Sequence, residues 1–188
     1  MLSNRAALPG DICLLLQPDE QQIDIFTQRQ KALIQKYGGH SHQNLHFTIQ
    51  RFDMDGKHIT EFIEALGQIT AQIQPFYIFG TSLKLSYHQF WKTNLLRWTV
   101  QKSTKLISLL TKMENTIKIF DGTVHFPLKD GWLPSLITVV ENPNGNFPKD
   151  GILLNPPEKI FLSKKLIVSE IIDTGIFKIH GSFELGKS

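Results

Sequence analysis

The chain has 188 residues, of which 41% are hydrophobic and 20% charged, and its net charge is +3 at pH 7. This length suits one domain with a full hydrophobic core, so we expect a single domain over residues 1–188. The single cysteine excludes an internal disulfide framework, and apolar runs such as residues 13–16 are too short to cross a bilayer. The N-terminus lacks an apolar signal-peptide core. We therefore expect a cytoplasmic protein without membrane contact, and we expect it to be a monomer.

The first half of the chain has the pattern of alternating strands and helices. Two segments repeat their apolar residues at about the helical period of 3.6, and the first of them stops at Gly38 and Gly39. The segments before and between them are continuously apolar or alternate apolar and polar residues, as strands do. The predicted strands are residues 11–18 and 44–52, and the predicted helices are residues 19–39 and 59–73.

The second half contains more strands than helices. The predicted strands are residues 76–90, 94–101, 132–142, 160–172 and 176–185, and the predicted helix is residues 103–120. The last two strands form a predicted hairpin across residues 173–175. Interleaved helices and hairpins indicate one α+β or mixed α/β domain, and the strand, helix, strand order of the first half recurs about 90 residues later.

Three histidines, His40, His42 and His46, lie within seven residues and invite a zinc hypothesis. On an extended chain all three would share one face. A catalytic zinc needs three protein ligands and an ordered second shell, however, and the first acidic residue after His42 is Asp53. We therefore expect no metal and no cofactor, and we interpret His40 and His42 as exposed loop residues.

The predicted strand after this loop offers acid–base chemistry instead. Strand alternation places His46, Thr48 and Gln50 on one face. An imidazole beside a hydroxyl can handle a phosphate, because the imidazole moves a proton while the hydroxyl donates to a non-bridging oxygen. The same His-x-Ser/Thr spacing recurs at His58 and His180, so the spacing alone is a weak signal.

The first half of the chain has a strand, a helix and Gly-Gly before His46-Phe47-Thr48, which is followed by "QRF" and, further downstream, by "WLPSLITVV". This arrangement resembles the 2H phosphoesterase superfamily. This superfamily includes the 2′-5′ RNA ligase-like proteins, which are RNA 2′,3′-cyclic phosphodiesterases. Its members carry two His-x-Thr/Ser motifs that face each other across a groove. The resemblance implies an α+β fold with two pseudo-symmetric lobes of antiparallel sheet, helices outside and a central groove.

The second motif departs from the family pattern, which is aromatic-x-Pro-His-x-Thr. Thr138 aligns with the motif threonine, which places Leu136 at the second histidine and leaves one extra residue after Pro134. Leucine cannot move a proton, and removing one positioned acid or base typically lowers the rate by about 10²- to 10⁴-fold. Ser135 lies near the right place but is a poor acid at neutral pH.

Other residues could complete such a site, each with a plainer alternative. His125, His180 or His42 could replace the lost histidine or could be surface or structural residues. Arg51 could reach a phosphate. Alternation points its side chain away from the face that carries His46, however, and on that other face it would be solvated. Two aromatic residues could stack on a base at the groove rim or could pack against the sheet edge; they are Trp132 and Tyr37.

The resemblance implies a metal-independent phosphoesterase that acts on a 2′,3′-cyclic phosphate or related phosphodiester of RNA or nucleotides, with weak or altered activity. The implied catalytic residues are His46, Thr48 and Thr138, and the implied substrate-binding residues are Arg51, Trp132 and Tyr37. A second hypothesis is a non-catalytic protein that binds RNA ends or nucleotides on the same fold. A third is an unrelated α+β domain with a chance His-x-Thr.

Overall fold

The computed structural model describes residues 8–41, 46–88, 92–140, 147–173 and 176–187. Within them the chain forms nine strands and three helices. The helices are α1 (Glu20–Tyr37), α2 (Ile59–Ala71) and α3 (Thr104–Ile119). The strands are β1 (Ile12–Pro18), β2 (His40–Ser41), β3 (Phe47–Asp53), β4 (Phe76–His88), β5 (Thr93–Val100), β6 (Thr123–Val124), β7 (Ser135–Val140), β8 (Ile152–Asp173) and β9 (Ile176–Glu184).

Local signals account for the helix ends. α1 ends where Gly38 adopts a positive φ of 82° and its N–H donates to the Ile34 carbonyl at 2.7 Å. α3 begins after Ser103, whose hydroxyl accepts the Leu106 N–H at 3.3 Å. Among the described residues, no helix combines the length and the apolar character that a membrane span needs.

The strands form one antiparallel sheet in the order β2-β7-β5-β4-β8-β1-β3-β6, and β9 pairs with β8. The long strand β8 joins the two halves of the sheet. Its first part pairs with β4, and its second part lies between β1 and β9. The predicted α+β fold of antiparallel sheet with helices is confirmed.

The three helices cover one face of this sheet and bury the main core against it. Phe26 of α1 packs on Trp98 of β5 with ring centroids 5.5 Å apart, and Phe62 of α2 packs on Phe52 of β3 at 5.3 Å. Because side chains alternate along a strand, the residues between these core positions point to the opposite face. We call that opposite side the open face.

The open face is defined by strand residues that alternate with core positions, and by the residues of neighbouring strands that pair directly across from them. In the β1, β3 and β8 part, a small separate cluster of Cys13, Leu15, Ile167 and Ile171 lies there, with Phe177 packed against it. In the β4, β5 and β7 part, it carries Lys84, Arg97, Ser135 and Ile137.

Curvature of the sheet brings β3 and β7 close together, although neither pairs with the other. Residues of the two strands approach within 8 Å between Cα atoms. Phe47 at the start of β3 and Trp132 just before β7 have ring centroids 6.4 Å apart. The two strands that carry the sequence motifs therefore lie close to each other, and each is second from one end of a sheet that stays unclosed.

Gly80 of β4 lies where the core leaves no room for a side chain. A Cβ atom there would lie 2.6 Å from Cδ1 of the fully buried Trp98. We expect Gly80→Ala to lower the free energy of unfolding by about 1–3 kcal/mol, as overpacking of a core does. Urea denaturation measures this loss.

The matched control is Gly56→Ala, since nothing lies within 4 Å of a Cβ at Gly56. We expect this variant to unfold at the wild-type urea concentration. Equal stability of both variants would show that the indole does not press on Gly80.

Candidate functional site

The first motif lies at the start of β3 on the open face. Thr48 is exposed and pairs with Leu15 of the open-face cluster. The ring of His46 lies edge-to-face against Phe177, with centroids 5.5 Å apart, and Phe177 packs on the same cluster. The imidazole and the hydroxyl that the sequence singled out thus lie on one side of the sheet.

A β-bulge at Ile49 changes the direction of the residues that follow. Thr48 pairs with Leu15 and Gln50 with Leu14, so Ile49 is an extra residue in β3. Gln50 therefore turns into the core, where its side-chain amide donates to Glu114 at 3.1 Å. The simple alternation predicted for this strand is wrong beyond Thr48, because the bulge resets the period.

The same bulge brings Arg51 to the open face, where it is buried at 8% exposure. Its Nε lies 3.3 Å from Oδ2 of Asp11 and donates to Nδ1 of His125 at 3.0 Å. The other ring nitrogen of His125, Nε2, lies 2.8 Å from Oδ2 of Asp53 and donates there when Nδ1 accepts. Arg51 is therefore not solvated, and Asp11 matches its charge. Its role in substrate binding stays a prediction.

Asp11, Asp53 and His125 are also the described residues that could together hold a metal ion, with ligand atoms within 4.8 Å of one another. The Arg51 guanidinium already supplies positive charge between Asp11 and His125. A metal ion next to it would meet like-charge repulsion. We interpret the cluster as a largely buried network of hydrogen bonds and one ion pair that ties β1, β3 and β6 together.

The histidines proposed as replacements have other partners where they are described. His125 is held in the Arg51 network. His180 contacts Glu170 at 2.8 Å and lines a cavity of about 480 Å³ with Thr60 at the start of α2. His42 lies outside the described residues.

The second motif strand, β7, also contains a bulge. Ile137 pairs with Arg97 and Val139 with Leu96, so Thr138 is the extra residue. Thr138 is fully buried, and its Oγ1 has no hydrogen-bond partner among the described residues. In this structure the Thr138 hydroxyl is inaccessible to a ligand, and its catalytic role stays a prediction.

The bulge also accommodates the extra residue that the sequence shows after Pro134. Leu136 packs in the core opposite Trp98 at 1% exposure, so it points away from the open face. Ser135 and Ile137 lie on the open face instead. The hydroxyl of Ser135 therefore stands where a motif histidine would need to point.

The two aromatic residues considered for base stacking are in the core. Trp132 packs on Phe47 and is 7% exposed, while Tyr37 packs edge-to-face on Phe147 at 5.0 Å and is 6% exposed. This is the packing alternative that the sequence left open. Their role in base stacking stays a prediction.

Arg97 of β5 is a site residue that the sequence reasoning missed. It lies on the open face, opposite Ile137 of β7, and its Nη1 is 3.4 Å from Oγ of Ser135. Burial lowers the pKa of the Arg97 guanidinium from its ordinary value. One signal in the sequence could have identified Arg97. It directly precedes Trp98, and the strand neighbour of a core tryptophan lies on the opposite face of the sheet.

The sequence matches no family model and no curated protein. Solved structures do match. TT0787 of Thermus thermophilus superposes with a TM-score of 0.62 at 13% identity, covering 95% of this chain and 99% of that one. E. coli LigT in complex with 3′-AMP gives 0.60 at 12% identity, with the same coverage of 95% and 99%. The chain has the LigT fold.

Two further solved structures agree with this assignment. E. coli LigT in complex with NADP⁺ has a TM-score of 0.59 at 12% identity and covers 95% of this chain and 99% of its own. A structure described as a phosphoesterase has a TM-score of 0.59 at 12% identity and covers 94% of this chain and 99% of its own. The fold implied by the 2H phosphoesterase resemblance is thereby confirmed. Function does not follow from a shared fold, so it must be argued from the residues of this LigT-like chain.

The Asp11–Arg51 pair should be important for stability. Removing one partner of a buried ion pair leaves the other charge uncompensated and costs about 3–5 kcal/mol. We expect Asp11→Asn to lower the free energy of unfolding by this amount in urea denaturation. The control is Asp55→Asn, which breaks an exposed pair with Lys57 and should leave the denaturation midpoint nearly unchanged.

Cys13 should be chemically silent in the folded protein. Burial raises the pKa of its thiol to about 12. Against an ordinary pKa of about 8.5, the thiolate fraction at pH 8.5 falls roughly 10³-fold. Labelling with Ellman's reagent should therefore be at least that much slower in buffer than in denaturing urea. Rapid labelling without denaturant would contradict the burial of β1 between β3 and β8.

Proposed function

We propose that this chain acts in the cytoplasm as a 2′-5′ RNA ligase-like phosphoesterase that binds a 2′,3′-cyclic phosphate, or a related phosphodiester of RNA or nucleotides, on the open face between β3 and β7. Turnover is slow and uses His46. The observation that carries the proposal is the placement of His46 and Thr48 on the open face of a strand that lies beside β7.

The chemistry requires two proton transfers. Hydrolysis of a cyclic phosphate forms a bond between a water oxygen and phosphorus and breaks the bond to one ribose oxygen. The water loses a proton and the ribose oxygen gains one. His46 can serve one of these transfers, while the Thr48 hydroxyl donates to a non-bridging oxygen.

The open face of β7 offers no second group of this kind. Ser135 presents a hydroxyl, which is a poor acid at neutral pH, and Leu136 is in the core. The second proton transfer is left to water. We therefore expect a rate about 10²- to 10⁴-fold below that of an enzyme with two acid–base histidines.

A second candidate is binding without turnover, and the orientation of β7 favours it. A strand that has lost its proton-transfer group can still contact a phosphate through hydroxyl and cationic side chains. Solved structures of E. coli LigT hold NADP⁺ and 3′-AMP, which supports a nucleotide as the ligand of this fold.

The test is incubation with 2′,3′-cyclic AMP and with a short RNA ending in a 2′,3′-cyclic phosphate, in the presence of EDTA. We expect slow formation of the ring-opened monophosphate by the wild type and none by His46→Ala. The matched control is His58→Ala, which removes another His-x-Thr histidine that lies before α2, and it should keep wild-type activity.

The outcomes separate the two candidates. Turnover that survives EDTA and needs His46 establishes a metal-independent phosphoesterase. Binding of the same ligands without turnover establishes the binding protein. If neither binding nor turnover occurs, the chain is an unrelated user of the LigT-like fold.

A further inference from the structure

Arg97 lies at the centre of a polar patch on the open face. Direct cross-strand neighbours in an antiparallel sheet share a face. Arg97 pairs with Lys84 of β4 on one side and with Ile137 of β7 on the other. Hydroxyl side chains surround it at the neighbouring positions, which are Ser82, Ser86, Thr99 and Ser135.

The charge of Arg97 is not matched within the described part of the chain. Its Nε is buried and has no hydrogen-bond partner there, and its contact with Ser135 is to a neutral hydroxyl. The other two described arginines differ: Arg29 lies 3.3 Å from Glu158, and Arg51 lies 3.3 Å from Asp11. A desolvated cation without a counter-ion is unfavourable, so this position is suited to an anion from outside.

Lys84 strengthens this argument. It is exposed and lies directly opposite Arg97, and like charges at directly opposed positions destabilise a sheet. Across the residues that the structure describes, no carboxylate forms an ion pair with either cation. The hydroxyl of Ser86 is also buried without a partner in that part of the chain. Two cations among hydroxyl groups form a surface that favours phosphate.

The patch also lies on the correct side of the molecule for the proposed ligand. β7 separates Arg97 from β3, and adjacent strands of a sheet are about 4.8 Å apart. Residues of β7 approach those of β3 within 8 Å between Cα atoms. A phosphate bound beside Thr48 would therefore face the β5–β7 part of the open face.

We propose that Arg97 of β5, with Ser135 of β7 beside it, binds the phosphate next to the second motif strand and compensates there for the missing histidine. This inference rests on the proposed function. The guanidinium stays protonated, so it binds the phosphate and balances its charge but does not move a proton. The two residues of the open face then have separate roles: His46 transfers a proton, and Arg97 binds the phosphate.

The first experiment measures the affinity for 3′-AMP by titration calorimetry, with adenosine as the probe that lacks the phosphate. We expect Arg97→Gln to weaken 3′-AMP binding by about 10- to 100-fold, as loss of a charge-assisted contact does, and to leave adenosine binding unchanged. Arg97→Lys keeps the charge and should lose less. Lys112→Gln, an equal charge change on the exposed side of α3, should bind like the wild type.

The second experiment compares thermal unfolding with and without 3′-AMP. Without ligand, Arg97→Met should unfold at or above the wild-type temperature, because an unmatched and partly buried charge has been removed. With ligand, the wild type should gain stability and the variant should not. A purely structural arginine would give the reverse result, a loss of stability without ligand.

Failure of this inference is distinguishable from failure of the proposed function. If the wild type and Arg97→Gln bind 3′-AMP equally, or if the wild type does not bind it, the role of Arg97 is overturned. The proposed function is decided separately by turnover of the cyclic substrates and its dependence on His46.

Discussion

Each of the two motif strands contains one residue more than its neighbour can pair with, and the backbone accommodates it as a β-bulge. Because side chains alternate strictly along a strand, one extra residue reverses the face of everything on one side of it. The bulge at Ile49 sends Gln50 into the core and Arg51 to the open face. The bulge at Thr138 leaves Ser135 and Ile137 on the open face and Leu136 in the core.

The two arginines of the open face differ in whether a negatively charged side chain lies next to them. Arg51 is held by Asp11 and His125, residues from the chain just before β1 and just after β6, and it joins these segments. Arg97 contacts the neutral hydroxyl of Ser135, has Lys84 opposite it and forms no ion pair with a carboxylate among the described residues. The phosphate proposed above would supply the negative charge that Arg97 lacks there.

The side chains of the candidate site suit phosphate binding better than they suit proton transfer. Phosphate binding needs donors and positive charge, which several side chain types supply. Proton transfer needs a group that titrates near neutral pH, and histidine is the side chain whose unperturbed pKa lies there. If Ser135 and Arg97 bind the phosphate as proposed, they supply the first property and not the second. At 12% identity to E. coli LigT, the conserved fold alone does not decide between these outcomes.

The sequence by itself determined the elements, the α+β class, the His46 and Thr48 pair and the absence of a second motif histidine. These features are local: helical and strand periods, glycine stops and a three-residue motif are visible within a short window. The approach of β3 to β7 and the two bulges were decided by the tertiary structure, because a bulge depends on the partner strand. The tertiary structure also decided that Arg51 is buried beside Asp11, which lies 40 positions earlier in the chain, and that Arg97 has no counter-ion among the described residues. A counter-ion is a neighbour in space, and only the folded chain determines which charges have one.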